Sequence, residues 1–259
     1  MEDFDDLVQA PNAEGVLDLS HHAWVTLEDA VWGWGETLLV FNASFNKIPR
    51  LPPKLGQLVN LRELDVSSNQ LDDLPNEIGL CLRLRKLFCK GNHLRTLPGT
   101  LGQCRLLEEI RASENQMMAL PASLGELAVL RLLHVQNNRL EALPPELANC
   151  LSLEDINATG NKDISNVPQK VLGDTPLILW QCKHNLKQKR TVRELEQQNE
   201  ELEKAAELTD ENEADLREVI EQLKKDNERL LRERPDKFLR YLARYNKLRE
   251  AARESCCIS

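Results

Sequence analysis

The last four residues of the sequence carry its most specific chemistry. Cys256 is the fourth residue from the end, and Cys257, Ile258 and Ser259 follow it. This order is that of a CaaX prenylation box, in which a final Ser is typical of farnesyl transfer to the cysteine sulfur. We therefore expect a covalent farnesyl group at Cys256, removal of residues 257–259, and no other cofactor. The alternative is a tail with two surface cysteines.

A basic segment before this box would provide the second membrane signal that a single lipid chain needs. Pro235 is suited to open a helix, and apolar residues then recur at helical spacing. The apolar stripe consists of Phe238, Tyr241, Leu242, Tyr245 and Leu248. Residues 236–254 also hold six Lys or Arg against three acids, which favours an anionic leaflet. We predict a basic amphipathic helix over 235–255; packing of its stripe on the repeats or on a second copy is the alternative.

Residues 186–234 are predicted to form a coiled coil that pairs two chains, because apolar residues recur there with a heptad spacing. The residues assigned to dimerisation are Leu195, Asn199, Leu202, Leu216, Ile220, Leu223, Asn227 and Leu230. Asn at two core positions favours an in-register, parallel homodimer. The alternatives are a single charged helix that packs on the repeats and a DNA-binding zipper factor. The second is disfavoured, and no nucleic acid is expected as a partner, because the net charge is −9 and the basic region is short.

The middle of the chain is a repeat array of five blocks that each begin with Leu-Pro. Four blocks have 23 residues, the fifth has 24, and they start at Leu51, Leu74, Leu97, Leu120 and Leu143. Asn recurs at one place in each block: Asn69, Asn92, Asn115, Asn138 and Asn161. A repeat of this length cannot bury its own leucines, so the blocks must stack into one continuous core. The Asn amide can satisfy backbone groups at the turn, and Pro starts the convex segment.

Weaker copies flank the five blocks and bring the expected number of strands to eight. Upstream, Leu38, Phe41, Ala43, Asn46 and Ile48 fit the template. Leu17 opens a first strand, with His22 in the place of the recurrent Asn. Downstream, a worn last copy contains Val167, Pro168, Val171, Leu177, Trp180, Cys182 and Asn185.

The template LPxxLGxLxxLxxLxLxxNxL resembles the leucine-rich repeat of the intracellular Ras group, the class of Ras suppressor, Shoc-type scaffolds, Erbin and Scribble. The resemblance covers roughly residues 15–185. It implies a solenoid that recognises proteins in signalling, often around small GTPases or their effectors. The helical stalk and the lipid tail are not part of the usual repeat pattern.

Strand side chains alternate between the core and the open, concave face of such a solenoid. The outward set assigned to partner binding is Glu63, Asp65, Lys86, Phe88, Lys90, Glu109, Arg111, Leu132, His134 and Gln136. The same alternation also places Asn42, Ser44, Ser67, Asp155 and Asn157 on this face. Phe88 and Arg111 are the expected anchors, since aromatics and Arg are enriched at interfaces. A catalytic role for His134 is not expected, because no Ser, Cys or acid stands at motif spacing from it.

Cysteine usage in the repeats indicates a reducing compartment. Cys81, Cys104 and Cys150 share one apolar template position, and Cys89 and Cys182 share another. Free cysteines acting as small hydrophobes are favoured over disulfides or metal ligands. The acidic first residues contain no signal peptide, and no apolar run is long enough to span a bilayer. The expected location is therefore cytoplasmic and peripheral, on the cytosolic face of a membrane.

These observations predict an α/β solenoid: a leucine-rich repeat horseshoe followed by an α-helical coiled coil. The predicted segments are an acidic cap at 1–27, repeats at 28–185, a coiled coil at 186–234, a basic helix at 235–255 and the CaaX box at 256–259. The predicted function is that of a membrane-tethered adaptor and not an enzyme, with no catalytic or metal-binding residues. A structural protein of the membrane skeleton, assembled by the coiled coil, is the alternative.

Overall fold

The computed structural model describes residues 10–27 and 29–207 of the chain. The chain divides into two compact units between Lys187 and Gln188, and the first unit holds the repeats. Of the second unit, the structure describes residues 188–207, and these continue a helix that begins in the first unit. Within the described ranges, no helix has the length and apolar character needed to cross a membrane.

Seven short strands in the described residues form one parallel sheet in which each strand pairs with the next along the chain. They are β1 (Val16–Asp18), β2 (Val40–Asn42), β3 (Glu63–Asp65), β4 (Lys86–Phe88), β5 (Glu109–Arg111), β6 (Leu132–His134) and β7 (Asp155–Asn157). The register follows the repeat, so Leu64 pairs with Leu87 and Leu87 with Ile110. The middle residue of every strand is buried. The predicted solenoid of parallel strands is confirmed.

Each pair of strands is connected through a short 3-10 helix on the opposite side of the solenoid. These helices are Asp29–Trp34, Pro53–Gln57, Asn76–Leu80, Gly99–Gln103, Ala122–Glu126 and Pro145–Asn149, with Gln169–Val171 after β7. A proline with extended backbone precedes all but the first, as Pro98 does (φ −65°, ψ 137°). The carbonyl of Pro98 accepts the N–H of Leu101 at 3.1 Å, so the residue with no N–H of its own opens the helix.

The recurrent Asn side chains form a buried ladder between repeats, as predicted. Asn115 Nδ2 donates to the carbonyl of Ala112 in its own repeat at 3.2 Å and to Cys89 in the previous repeat at 3.0 Å. Its Oδ1 accepts the N–H of Leu94 at 3.0 Å. The other four ladder residues, Asn69, Asn92, Asn138 and Asn161, make the corresponding three contacts. Each amide thereby satisfies backbone groups that turn into the core.

The glycine of the LPxxLG sequence allows neighbouring 3-10 helices to touch. A Cβ atom on Gly102 would lie 2.6 Å from the carbonyl oxygen of Ser123, and one on Gly125 would lie 2.4 Å from that of Glu146. These are backbone contacts that cannot rotate away. The motif therefore requires glycine for close approach of successive repeats.

The repeat cysteines are free and buried, as expected. Cys81, Cys104 and Cys150 each direct Sγ at a carbonyl oxygen of the previous repeat, at 3.5, 3.4 and 3.1 Å. Burial raises the pKa of Cys104 to about 11 and that of Cys89 to about 12. They therefore behave as small apolar side chains whose thiols stay protonated at neutral pH.

The first strand has its outer edge closed by local groups. Asn12 accepts the N–H of Gly15 with its carbonyl and that of Val16 with Oδ1, both at 2.9 Å. His22 occupies the place of the ladder Asn, and its Nδ1 lies 2.5 Å from the carbonyl oxygen of Ser20. The backbone groups that would otherwise recruit another strand are thus partly occupied.

The expected eighth strand is not formed. After β7 the chain makes one 3-10 turn and then enters helix α1 (Thr175–Glu207), which contains Leu177, Trp180, Cys182 and Asn185 of the predicted last copy. Leu172 O and Thr175 Oγ1 accept backbone N–H groups at the edge of β7, at 2.9 and 2.8 Å. Leu177 and Cys182 are nevertheless buried. The apolar residues that fitted the repeat template therefore belong to one face of helix α1, and this face covers the end of the core.

Candidate protein-binding face

One face of the seven-stranded sheet is open, and it presents the first and third residue of each strand together with the residue two positions further on. We call this surface the open face. All ten residues assigned to partner binding occupy these positions. Lys86, Lys90 and Arg111 are exposed, while Glu63, Asp65, Phe88, Glu109, Leu132, His134 and Gln136 are half-buried.

Ser44 is a correction to the predicted outward set, because it is buried. Its hydroxyl donates to Asn42 Oδ1 at 2.7 Å, and its own backbone N–H reaches the same oxygen at 3.0 Å. This short local turn draws the side chain against the sheet. The other four added residues, Asn42, Ser67, Asp155 and Asn157, are half-buried or exposed.

Lysines of the open face form ion pairs with glutamates of neighbouring repeats. Lys86 Nζ lies 3.0 Å from Glu63 Oε2, and Lys90 Nζ lies 3.0 Å from Glu114 Oε1. Pairs at this exposure contribute little to stability. Their effect is to hold long side chains in fixed directions around the centre of the face.

Phe88 and Arg111 form the centre of the open face. They are register partners on β4 and β5, and the Arg111 guanidinium carbon lies 5.4 Å from the Phe88 ring centroid. Arg111 Nε is also 2.5 Å from Glu109 Oε1. The cation is therefore held over the ring by a carboxylate of its own strand. Alternation alone predicts that these side chains share the face, but not this contact.

The amino-terminal part of the open face differs, because Asp65 has no ion pair among the described residues. Its Oδ1 accepts the N–H of Ser67 at 2.9 Å. Asp18 has the same arrangement with Ser20, and that backbone hydrogen bond is the main cause of its lowered pKa. Both carboxylates are thus held by backbone N–H groups at the ends of their own strands.

Phe45 is an exposed aromatic residue that the repeat pattern did not identify. It is 54% exposed, and its ring stacks on His21 with centroids 4.4 Å apart and an angle of 8°. Its backbone is left-handed (φ 56°), as is the residue before each ladder Asn: Ser68, Gly91, Glu114, Asn137 and Gly160. The recognisable feature in the sequence is an aromatic residue at this turn position, which points away from the core.

His134 has an acidic partner that linear spacing did not reveal. Its Nε2 lies 2.8 Å from Asp155 Oδ2 on the neighbouring strand. Its Nδ1 makes no hydrogen bond within the described ranges, so the pair lacks the further group that a nucleophilic triad requires. Among the described residues, no group of three or more His, Cys, Asp or Glu is placed to hold a metal ion.

Most of the residues assigned to pairing and lipidation lie outside the described ranges. Leu195, Asn199 and Leu202 belong to α1, which gives the first part of the predicted coiled coil a helical backbone. The other residues assigned to dimerisation are Leu216, Ile220, Leu223, Asn227 and Leu230, and with Cys256 and the basic segment 235–255 they lie beyond residue 207.

Comparisons with known proteins agree on the repeat. The Leucine Rich Repeat family model matches residues 60–81. A leucine-rich repeat protein of Leptospira interrogans is 28% identical, with a TM-score of 0.56 over 65% of this chain and 41% of that protein. The leucine-rich repeat ectodomain of the Arabidopsis thaliana receptor kinase GASSHO1/SCHENGEN3, solved with Casparian strip integrity factor 2, is 24% identical, with a TM-score of 0.51 over 61% and 22% of the two chains. No curated protein matches the sequence.

These findings give the fold and the general role of the domain. The chain contains a leucine-rich repeat, and its parallel sheet with short helices is a leucine-rich repeat solenoid. Such domains are typically protein-interaction modules and not enzymes. The chain spans less than half the length of either solved protein, so it resembles them in the repeats alone.

Proposed function

We propose that this protein is an adaptor that binds a signalling protein on the open face of its repeats. The observation that carries the proposal is the contact between Phe88 and Arg111 at the centre of that face, with the ring centroid 5.4 Å from the guanidinium carbon. Interface hot spots typically combine aromatic residues and Arg near the centre of a surface whose rim is polar.

The surroundings of this pair support the same role. Lys86 and Lys90 lie on either side of Phe88 along the chain, and each is tied to a carboxylate at 3.0 Å. Such paired charges cost less to cover than unpaired ones, because the partner beside each offsets part of the desolvation penalty when water leaves. Leu132 on β6 adds a half-buried apolar side chain two strands from Phe88. A partner would therefore meet an apolar centre and an ordered polar rim.

The resemblance to Ras-group repeats suggests a small GTPase or one of its effectors as the class of partner. The sequence supports a further part of the proposal, in which the adaptor is held on the cytosolic face of a membrane. Farnesyl at Cys256 and the basic segment 235–255 would supply the anchor, and the coiled coil would pair two chains in parallel. Two linked anchors hold more strongly than one, by a factor of about 10² or more.

The partner and the site are tested together. Tagged full-length chain expressed in cells is used to capture interacting proteins, and the affinity of each purified candidate is then measured by calorimetry. Phe88→Ala combined with Arg111→Ala should weaken binding at least about tenfold, because both anchors are lost. The matched control is Met118→Ala with Arg95→Ala, an apolar residue and an Arg that are exposed away from the open face.

Circular dichroism of both double variants shows whether the fold is retained. Undiminished affinity in a folded Phe88→Ala/Arg111→Ala variant would contradict the binding role of the open face. Equal losses in the control would place the interface elsewhere.

A role in the membrane skeleton is the second candidate, and the 33-residue length of helix α1 favours it. Cell fractionation of the wild type and of Cys256→Ser separates the two. An adaptor should shift from the membrane fraction towards the soluble fraction when the lipidated sulfur is lost. A skeletal protein should remain in the detergent-insoluble pellet in both cases.

A further inference from the structure

A second surface, separate from the open face, runs along the side of the solenoid where the 3-10 helices lead into the strands. Exposed large apolar residues occur there in five successive repeats: Val59, Leu82, Leu106, Val129 and Leu151. Leu82 is 58% exposed and Leu151 is 89% exposed. We call this row and the arginines beside it the leucine–arginine flank.

The row is continuous because the repeats are stacked in register. Glu63 pairs with Lys86, Lys86 with Glu109, Glu109 with Leu132 and Leu132 with Asp155. Val59, Leu82 and Leu151 stand four residues before their strands, and Leu106 and Val129 stand three before theirs. The five residues therefore fall at two adjacent positions of neighbouring repeats, and at a strand spacing of about 4.8 Å they span on the order of 20 Å. The opposite side of the same repeats, after the ladder Asn, carries a single exposed large apolar residue among those described, Met118.

The flank is positively charged in a chain whose net charge is −9. Its arginines are Arg62, Arg83, Arg85, Arg105 and Arg131. Three of them pair with a glutamate: Arg85 with Glu108, Arg105 with Glu126 and Arg131 with Glu154. Arg62 and Arg83 are exposed and have no ion pair within the described part of the chain. Two cations beside an apolar row are thus left without a partner.

We propose that the leucine–arginine flank lies on an anionic lipid surface. Leu and Val are under-represented among the anchors of protein interfaces, where Trp, Tyr and Arg dominate, and the flank has no aromatic residue at these positions. Apolar side chains that insert singly, with cations at headgroup level, are instead what a peripheral membrane surface requires. In this orientation the open face stays accessible to its partner. The inference does not require lipidation of Cys256.

The first test is co-sedimentation of the full chain with vesicles. Protein made in bacteria carries no farnesyl group, and Gln at Lys237, Arg240, Arg244, Lys247, Arg249 and Arg253 removes the charge of the predicted basic helix. In this background the chain should bind phosphatidylcholine vesicles that contain roughly one third phosphatidylserine, and added salt should weaken the binding. Vesicles of phosphatidylcholine alone should bind about tenfold less. Equal binding to the two kinds of vesicle would overturn the proposal. Binding to neither kind would also overturn it and would indicate that the row is covered by a protein partner.

The second test changes the flank itself. Leu82→Ser, Leu106→Ser and Leu151→Ser together should lower the vesicle partition coefficient at least about tenfold, as should Arg62→Ser with Arg83→Ser. All five residues are exposed, so circular dichroism should show an unchanged fold. Met118→Ser on the opposite side is the matched control and should bind as the background does. Flank variants that bind vesicles as strongly as Met118→Ser overturn the proposal.

The flank and the open face can fail separately. The flank variants should retain full affinity for a partner of the open face, and Phe88→Ala/Arg111→Ala should retain vesicle binding. Loss of partner affinity in the flank variants would show that the row belongs to the protein interface and would overturn the assignment to lipid.

Discussion

The two sides of each strand follow opposite rules. On the buried side the same types of residue recur from repeat to repeat: an apolar residue in mid-strand, then a small or apolar residue, then the ladder Asn. On the open face the residues that follow one another in register are Asp65, Phe88, Arg111 and His134, which share neither size nor charge. Backbone and register are nearly identical throughout. The interior therefore specifies the solenoid, whereas the fold leaves the residues of the open face free to vary.

The largest effect is expected when the interior is charged at high pH. Burial raises the pKa of the repeat thiols from 9.0 to about 11 for Cys104 and Cys150 and to about 12 for Cys81, Cys89 and Cys182. Above about pH 9 the folded chain keeps protons that the unfolded chain releases. The contribution of the buried thiols to the free energy of unfolding is fully present below that pH. It falls as the pH rises, by about 1.4 kcal/mol per pH unit for each thiol.

We therefore expect unfolding between about pH 9 and pH 11, with the rise in thiolate absorbance coinciding with the loss of circular dichroism. The measurement uses a Cys256→Ser/Cys257→Ser background so that only repeat thiols are observed. Cys104→Ala should make the fall in stability less steep by the share of one thiol. Thiolate formation near pH 9 in a chain that remains folded would contradict a sealed interior.

The next largest effect is expected from a single amide of the ladder. Asn115→Ala removes the acceptor of the Leu94 N–H, while the carbonyls of Cys89 and Ala112 keep Asn92 Nδ2 and Asn138 Nδ2 as donors. A buried backbone N–H left without a partner costs about 1–3 kcal/mol, so the free energy of unfolding should fall by about that amount. Urea unfolding followed by circular dichroism measures this.

The control for Asn115 is Asn149→Ala, because Asn149 is exposed on a 3-10 helix. Its change should be within about 0.5 kcal/mol of zero. If both variants unfold at the same urea concentration as the wild type, the ladder amides are hydrated and the account of the turn is wrong.

The closeness of successive repeats is tested at one glycine. Gly102→Ala would bring a Cβ to 2.6 Å from the carbonyl oxygen of Ser123, and this overlap should cost about 1–3 kcal/mol. Gly99→Ala in the same 3-10 helix is the matched control, because the nearest atom to its Cβ would be Ser123 Oγ at 3.9 Å. That variant should be neutral or slightly stabilising. Equal effects in both would mean that propensity, and not contact between repeats, selects glycine here.

The different rules for the two sides explain which features could be predicted from the sequence. A residue that recurs every 23 positions reports a backbone requirement, so the strands, the Asn ladder and the buried cysteines followed directly from the pattern. The last copy misled because Leu177 and Cys182 need an apolar neighbour whether they lie on a strand or on a helix. Periodicity alone does not separate these cases for a short segment.

The open face was predictable in membership but not in contacts. Alternation assigned Phe88, Arg111 and His134 to one surface. It could not show that the His134 ring contacts the carboxylate of Asp155, which lies 21 positions further along the chain. Phe45 was missed because it stands in a turn, where alternation does not apply and only the left-handed backbone directs the side chain outward. Properties that depend on non-repeated residues require the three-dimensional register.

The smallest predicted effect is also the one that separates the two sides most sharply. Arg111 makes an ion pair with Glu109 and a cation–π contact with Phe88, and its side chain is 52% exposed. Exposed interactions of these kinds are worth about 0–1 kcal/mol each. Arg111→Ala should therefore lower the free energy of unfolding by about 1 kcal/mol or less. A double-mutant cycle with Phe88→Leu should give a coupling energy of about 0.5–1 kcal/mol, and the same cycle with Leu132→Ala as the second change serves as its control. A coupling above about 2 kcal/mol would show that the pair supports the fold as the interior residues do. A value near zero would mean that the ring and the guanidinium are held by their own strands, each presented separately to a partner.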